Sequence, residues 1–93
     1  MKKYEGMFIF KADLSKDDLE KTTGQVKDII SKHKGSMADV KEWGKQRLAF
    51  PIKKYKEGIY YLVNFHIDTD AISKLKRVFS LNESILRVLI TKI

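Results

Sequence analysis

Ile59-Tyr60-Tyr61-Leu62-Val63-Asn64-Phe65-His66-Ile67 decides the fold. The run is β-branched and aromatic, so it reads as a strand. Side chains alternate faces along a strand. Ile59, Tyr61, Val63, Phe65 and Ile67 are the more apolar set and should face a covering layer. Tyr60, Leu62, Asn64 and His66 should face the other way. Downstream, Asp68-Thr69-Asp70 is predicted to cap a helix whose apolar stripe is Ile72, Leu75, Val78 and Phe79. Asn82-Glu83 then turns the chain into a last strand, Ile85 to Ile93.

Upstream, Lys53 to Gly58 reads as a polar hairpin loop. Residues 36–50 form a longer strand interrupted by Gly44, which predicts a bulge or sharp twist. Pro51 cannot donate to a ladder, so it marks an edge position or a strand end. Residues 3–11 are a further aromatic-rich strand. Between these, Ser15-Lys16-Asp17-Asp18 opens a helix as a short-acid variant of the capping box. Leu19, Val26, Ile29 and Ile30 form its stripe, with Thr22 and Thr23 between. Lys32, His33 and Lys34 suit the negative helix end, and Gly35 suits the left-handed position after it. Gly24 lies inside this helix at a cost of about 1 kcal/mol relative to alanine, which suggests close packing on a strand.

The order strand, helix, strand, strand, helix, strand is the ferredoxin-like split β-α-β arrangement of an α+β domain. Two helices should cover one face of a four-stranded antiparallel sheet and leave the other open. Tyr4, Phe8 and Phe10 in the first strand suit the core, as do Leu86, Val88 and Ile90 in the last. With Val26, Ile30, Val63, Phe65 and Leu75 they form the expected interior. Met7, Ile9, Tyr60, Leu62 and Leu89 then populate the open face, with Arg87 and Lys92 around them. Exposed apolar groups of this kind mark a contact surface.

Ninety-three residues suit one domain, 1–93. Cysteine is absent, which excludes disulfides and thiolate metal sites. His33 and His66 show no metal-ligand spacing. No apolar run nears the roughly 20 residues of a membrane span. The start Met1-Lys2-Lys3-Tyr4-Glu5 lacks the apolar stretch of a signal peptide. A reducing cytoplasm is the expected location.

The net charge is +7. Residues 13–34 balance Lys16, Lys21, Lys27, Lys32 and Lys34 against Asp13, Asp17, Asp18, Glu20 and Asp28. The excess therefore avoids the first helix and lies in the strands and their loops. That placement favours a face for a polyanion.

The densest local signal is Trp43-Gly44-Lys45-Gln46-Arg47-Leu48-Ala49-Phe50-Pro51-Ile52-Lys53-Lys54, followed by Tyr55-Lys56-Glu57-Gly58-Ile59-Tyr60. By its residues alone it is either a bulged strand that aims cations at phosphate or a solvated hairpin. The pattern Trp-Gly-basic-x-Arg-Leu-Ala-aromatic-Pro-Ile-x-Lys, then Glu-Gly-x-Tyr, resembles the signature of the sixth protein of the bacterial small ribosomal subunit. Lys2-Lys3-Tyr4-Glu5 resembles that family's opening, and the likeness runs from residue 2 to about residue 92. Phe50 stands where the family usually has tyrosine, which removes a possible hydroxyl contact. Gln46 lowers the charge of a run that is often more basic. Many members also carry a polar or acidic C-terminal tail, whereas this sequence stops at Ile93.

The resemblance implies a structural part of the small (30S) subunit. It implies binding to the central domain of the small-subunit (16S) ribosomal RNA, as a heterodimer with the eighteenth small-subunit protein. It implies no reaction, no cofactor, no membrane and no small-molecule substrate. Lys2, Lys3, Tyr4, Arg47, Lys53, Lys54, Lys56, Arg87 and Lys92 are the expected RNA contacts. Met7, Ile9, Tyr60, Leu62 and Leu89 are the expected partner contacts.

Two other functions use the same topology. RNA-recognition motifs stack single-stranded bases on aromatics of the central strands. Ile9-Phe10-Lys11-Ala12-Asp13-Leu14 has the outline of one such motif, but Lys11 interrupts its apolar third position. Glu57-Gly58-Ile59-Tyr60-Tyr61 lacks the leading cation and small fourth residue of the other. Acylphosphatase-like enzymes need an arginine in a phosphate cradle after the first strand, and Ala12-Asp13-Leu14 supplies none. No Ser-His-Asp grouping offers another catalytic reading.

Overall fold

The structure is a computed structural model that describes residues 2–93. Its elements are β1 (Lys2–Lys11), α1 (Lys16–Lys32), β2 (Ser36–Ile52), β3 (Tyr55–Ile67), α2 (Ile72–Ser80) and β4 (Ile85–Lys92). A 3-10 turn, Thr69–Ala71, leads into α2. The strands form one sheet in the order β2-β3-β1-β4, with every pairing antiparallel. This is the ferredoxin-like arrangement that the element order predicts.

Both helices pack on one face. Phe8, Phe10, Tyr61, Val63, Phe65 and Ile67 meet Val26 and Ile30 of α1 and Leu75 and Phe79 of α2 in the main core. The Phe8 and Phe79 rings meet edge to face, 4.9 Å between centroids, the arrangement that aligns a ring's positive edge with another's negative face. Val88 and Ile90 flank this core half-buried.

α1 starts as the sequence predicts. The Ser15 hydroxyl accepts from Asp18 N–H at 3.1 Å, satisfying a donor with no helical partner. Its end differs. Lys34, not Gly35, takes the left-handed conformation, with φ 66°. Lys34 N–H donates to Ser31 O and Gly35 N–H to Ile30 O, both at 2.9 Å, the bond pair of a Schellman motif. Gly35 is needed one position later for space: a Cβ there would lie 2.8 Å from Ile30 Cγ2 and 3.1 Å from His66 O. Gly24 also departs from expectation, since a Cβ there meets nothing within 4 Å.

Two further expectations change. The β2–β3 connection is not a six-residue loop. Lys53 and Lys54, φ 49° and 72°, form the whole turn, and Ile52 pairs with Tyr55. Positive φ at both central residues is the type I′ geometry, whose twist matches that of the flanking strands. Pro51 is tolerated because β2 is an edge strand. In β4, the register passes from Ile9↔Arg87 to Phe10↔Ile85, so Leu86 is the extra residue of a bulge. Ile85 therefore enters the main core. Leu86 turns to the opposite face, where it packs with Ile9 and Leu48.

Candidate RNA and protein interface

The helix-free face is built in cross-strand rows. Asp39, Asn64, Glu5 and Thr91 make one row. Lys41, Leu62, Met7 and Leu89 make the next, and Gly44, Tyr60, Ile9 and Arg87 a third. Alternation along β3 and β1 gives each row its members, because neighbouring rows on one face lie two residues apart. Met7 and Leu62 are half-buried, and Leu89 is 46% exposed.

The rows are not equally open. Ile9 was expected on the exposed part of this face, but it is buried. The long β2–β3 arm brings Leu48, Ile52 and Tyr55 over it, beside Leu86 and Tyr60. This second, smaller cluster also half-buries Tyr60. The Ile9–Tyr60 row is thus covered, whereas Met7, Leu62 and Leu89 in the neighbouring row keep apolar surface open.

The cations fall into two groups at opposite ends of β3. Lys2 pairs with Ile67 and Lys92 with Tyr4, while Ile93 N–H donates to Lys3 O at 3.0 Å. These contacts gather Lys2, Lys3 and Lys92 at one end. Arg47, Lys53, Lys54 and Lys56 lie on the hairpin arm at the other. Arg87 stands between them, exposed opposite Ile9. Tyr4 departs from the expected contact set, because its ring lies in the main core, stacked on Phe65 at 6.1 Å. Its hydroxyl is hydrogen-bonded to the Thr69 hydroxyl at 3.0 Å. Tyr4 is positioned to hold the sheet end that carries the lysines, not to present a ring to a base.

Trp43 belongs to this face and was absent from the expected partner set. The indole is 55% exposed and lines a hollow of about 280 Å³ with Glu5, Met7, Asp39, Lys41, Leu62 and Asn64. Apolar and polar residues do not alternate along β2, so Trp43 has no face legible from the pattern alone. Phe50 is exposed as well, beside Arg47 and Lys56 on the arm.

A family model described as Ribosomal protein S6 matches residues 3–92. The chain belongs to the ribosomal protein S6 family. It is 40% identical to small ribosomal subunit protein bS6 of Clostridium acetobutylicum over 97% of this chain and 95% of that one. With the bS6 of Caldanaerobacter subterraneus it shares 35% identity over 99% and 97% of the two chains. The 30S ribosomal protein S6 of Thermotoga maritima superposes with a TM-score of 0.93 at 28% identity, covering 99% of this chain and 87% of that one. S6-family proteins are structural rather than enzymatic, consistent with an RNA-binding role in translation. In this S6-family chain no described helix is long and apolar enough to cross a membrane.

Proposed function

We propose that this chain is a structural component of the small ribosomal subunit that binds the central domain of the 16S ribosomal RNA as a heterodimer with the eighteenth small-subunit protein. It acts in the cytoplasm as one domain. The observation that carries this reading is an apolar row on the helix-free face with cations gathered at both ends of the sheet. An apolar row, Met7–Leu62–Leu89, crosses the sheet between two groups of cations. Apolar surface suits a protein partner. Cations at the margins suit phosphates, which position a protein on RNA without reading its sequence. RNA-recognition motifs stack bases on aromatics of the central strands, and Tyr60 of β3 is packed against the Ile9–Leu48–Leu86 cluster, while the exposed Trp43 and Phe50 lie on the edge strand β2.

RNA affinity measured with and without the partner tests the proposal. The isolated chain should bind the folded central domain weakly, and the partner should tighten binding sharply. By linkage the RNA tightens the protein–protein contact by the same factor. Leu62→Asp or Leu89→Asp should abolish partner binding with the fold intact. Tight, partner-independent binding to unstructured RNA would overturn the proposal in favour of a recognition-motif mode.

A further inference from the structure

The hollow on the helix-free face joins two carboxylates to an indole and apolar side chains. Glu5 and Asp39 stand on either side of Asn64, in register across three strands. Neighbouring strands lie roughly 4.8 Å apart, so their backbones are about 10 Å from one another. The next row supplies Met7 and Leu62, and the half-exposed Trp43 indole closes a side. In a chain of net charge +7, this places two carboxylates over an apolar floor beside an aromatic face. Among the described residues neither carboxylate is held in an ion pair. Lys41, exposed on the edge strand, is the one cation of the lining; its long stem lets the ammonium stay in water.

We propose that this hollow receives an arginine side chain from a basic protein partner. The inference rests on reading the helix-free face as a protein-docking surface. Its volume of about 280 Å³ is enough to admit one side chain. An apolar side chain would strip water from Glu5 and Asp39 and leave them unpaired. A phosphate would meet like charge. A guanidinium meets both needs at once: its edge donates to carboxylates, and its weakly hydrated face stacks on an indole. An ammonium matches the charge but not the planar face.

Trp43 is the only tryptophan, so its indole N–H resonance reports on this hollow alone. The full chain is titrated with a tetra-arginine peptide, a tetra-lysine peptide and an oligouridylate. Tetra-arginine should shift the indole resonance saturably, and tetra-lysine should bind at least threefold more weakly. Combined Glu5→Gln and Asp39→Asn should weaken tetra-arginine binding about tenfold or more, with the circular dichroism of the fold unchanged. The same double variant should weaken the protein partner about tenfold or more. An indole unmoved by tetra-arginine overturns the inference. So does an unchanged affinity of the double variant, for the peptide or for a partner that binds the wild-type chain. An oligouridylate that shifts the indole while tetra-arginine does not makes the hollow a base-stacking site instead. If the proposed partner does not bind even the wild-type chain, the docking reading fails, and the peptide titration still decides the chemistry of the hollow.

Discussion

Ile9 fills the space in which a side chain at Gly58 would sit. A Cβ built on Gly58 collides with Ile9 Cγ2 and lies 3.3 Å from Phe10 O. Gly58 has no positive φ, so its requirement is steric. Overpacking of this kind costs about 1–3 kcal/mol. Gly58→Ala should therefore lower the urea midpoint clearly. Gly24→Ala should act in the opposite sense, because its Cβ enters open space on a helix. A gain of roughly 0.5–1 kcal/mol is expected, from helix propensity and a less flexible unfolded chain. If both substitutions moved the midpoint the same way, the packing of these two glycines would be misassigned.

The contrast between these glycines shows what was legible in the sequence. β3 announced its two faces because apolar and polar residues alternate along it, and Tyr61, Val63, Phe65 and Ile67 are buried accordingly. β2 gave no such signal. It is an edge strand exposed along most of its length, so burial imposes no alternation on its residues. The Leu86 bulge was also hidden, since an extra residue is defined only against the strand it pairs with. That one residue moved Leu86 from the predicted core to the opposite face. The burial of Ile9 likewise depends on a distant arm folding over it. The excess of lysines outside α1 was legible, but the separation of these cations into two groups at opposite ends of β3 needed the register.

The β2–β3 turn carries strain in a basic position. Lys53 and Lys54 both hold positive φ, which costs a side-chain-bearing residue roughly 1–2 kcal/mol. Asn-Gly is the natural occupant of a type I′ turn. Combined Lys53→Asn and Lys54→Gly should stabilise the chain by about 1–2 kcal/mol in urea unfolding. If the proposed RNA-binding reading holds, the same change should weaken binding to the central-domain RNA, because two cations are lost from the hairpin arm. Strain kept at a functional site is a recurring pattern. Stabilisation without loss of RNA affinity would remove the turn from the RNA-binding set.

Tyr61 predicts an alkaline signature. Its ring is 2% exposed, and its hydroxyl makes no hydrogen bond among the described residues. Burial, and then the nearby Glu42 carboxylate, push its pKa above the ordinary value near 10. At neutral pH, Tyr61→Phe removes a buried hydroxyl that gains nothing, so stability should stay the same or rise by up to about 1 kcal/mol. Above pH about 10 the unfolded chain ionises this group while the folded chain resists. The stability it contributes is present below the unfolded pKa and is lost as pH rises through the folded pKa. Tyr61→Phe should therefore raise the pH midpoint of alkaline unfolding. A marked loss of stability at pH 7, or an unmoved alkaline midpoint, would contradict this account.

Arg87 offers the sharpest test of the RNA surface. It is exposed opposite the buried Ile9, between the two groups of cations, and among the described residues its side chain makes no hydrogen bond or ion pair. Arginine's planar fork matches phosphate oxygens. Each phosphate neutralised releases counterions, so binding falls with salt by a logarithmic slope of about −0.9 per contact on a duplex. The chain assembled with its partner should show a slope of several units on the central-domain RNA. Arg87→Gln should reduce that slope by about one and weaken binding similarly across RNA variants of the same shape. Its thermal midpoint should stay within about 4 °C of wild type, because an exposed substitution away from the core costs roughly 0.5 kcal/mol or less. An unchanged salt slope with reduced affinity would mean that Arg87 acts on the protein partner or on the sheet, not on phosphate.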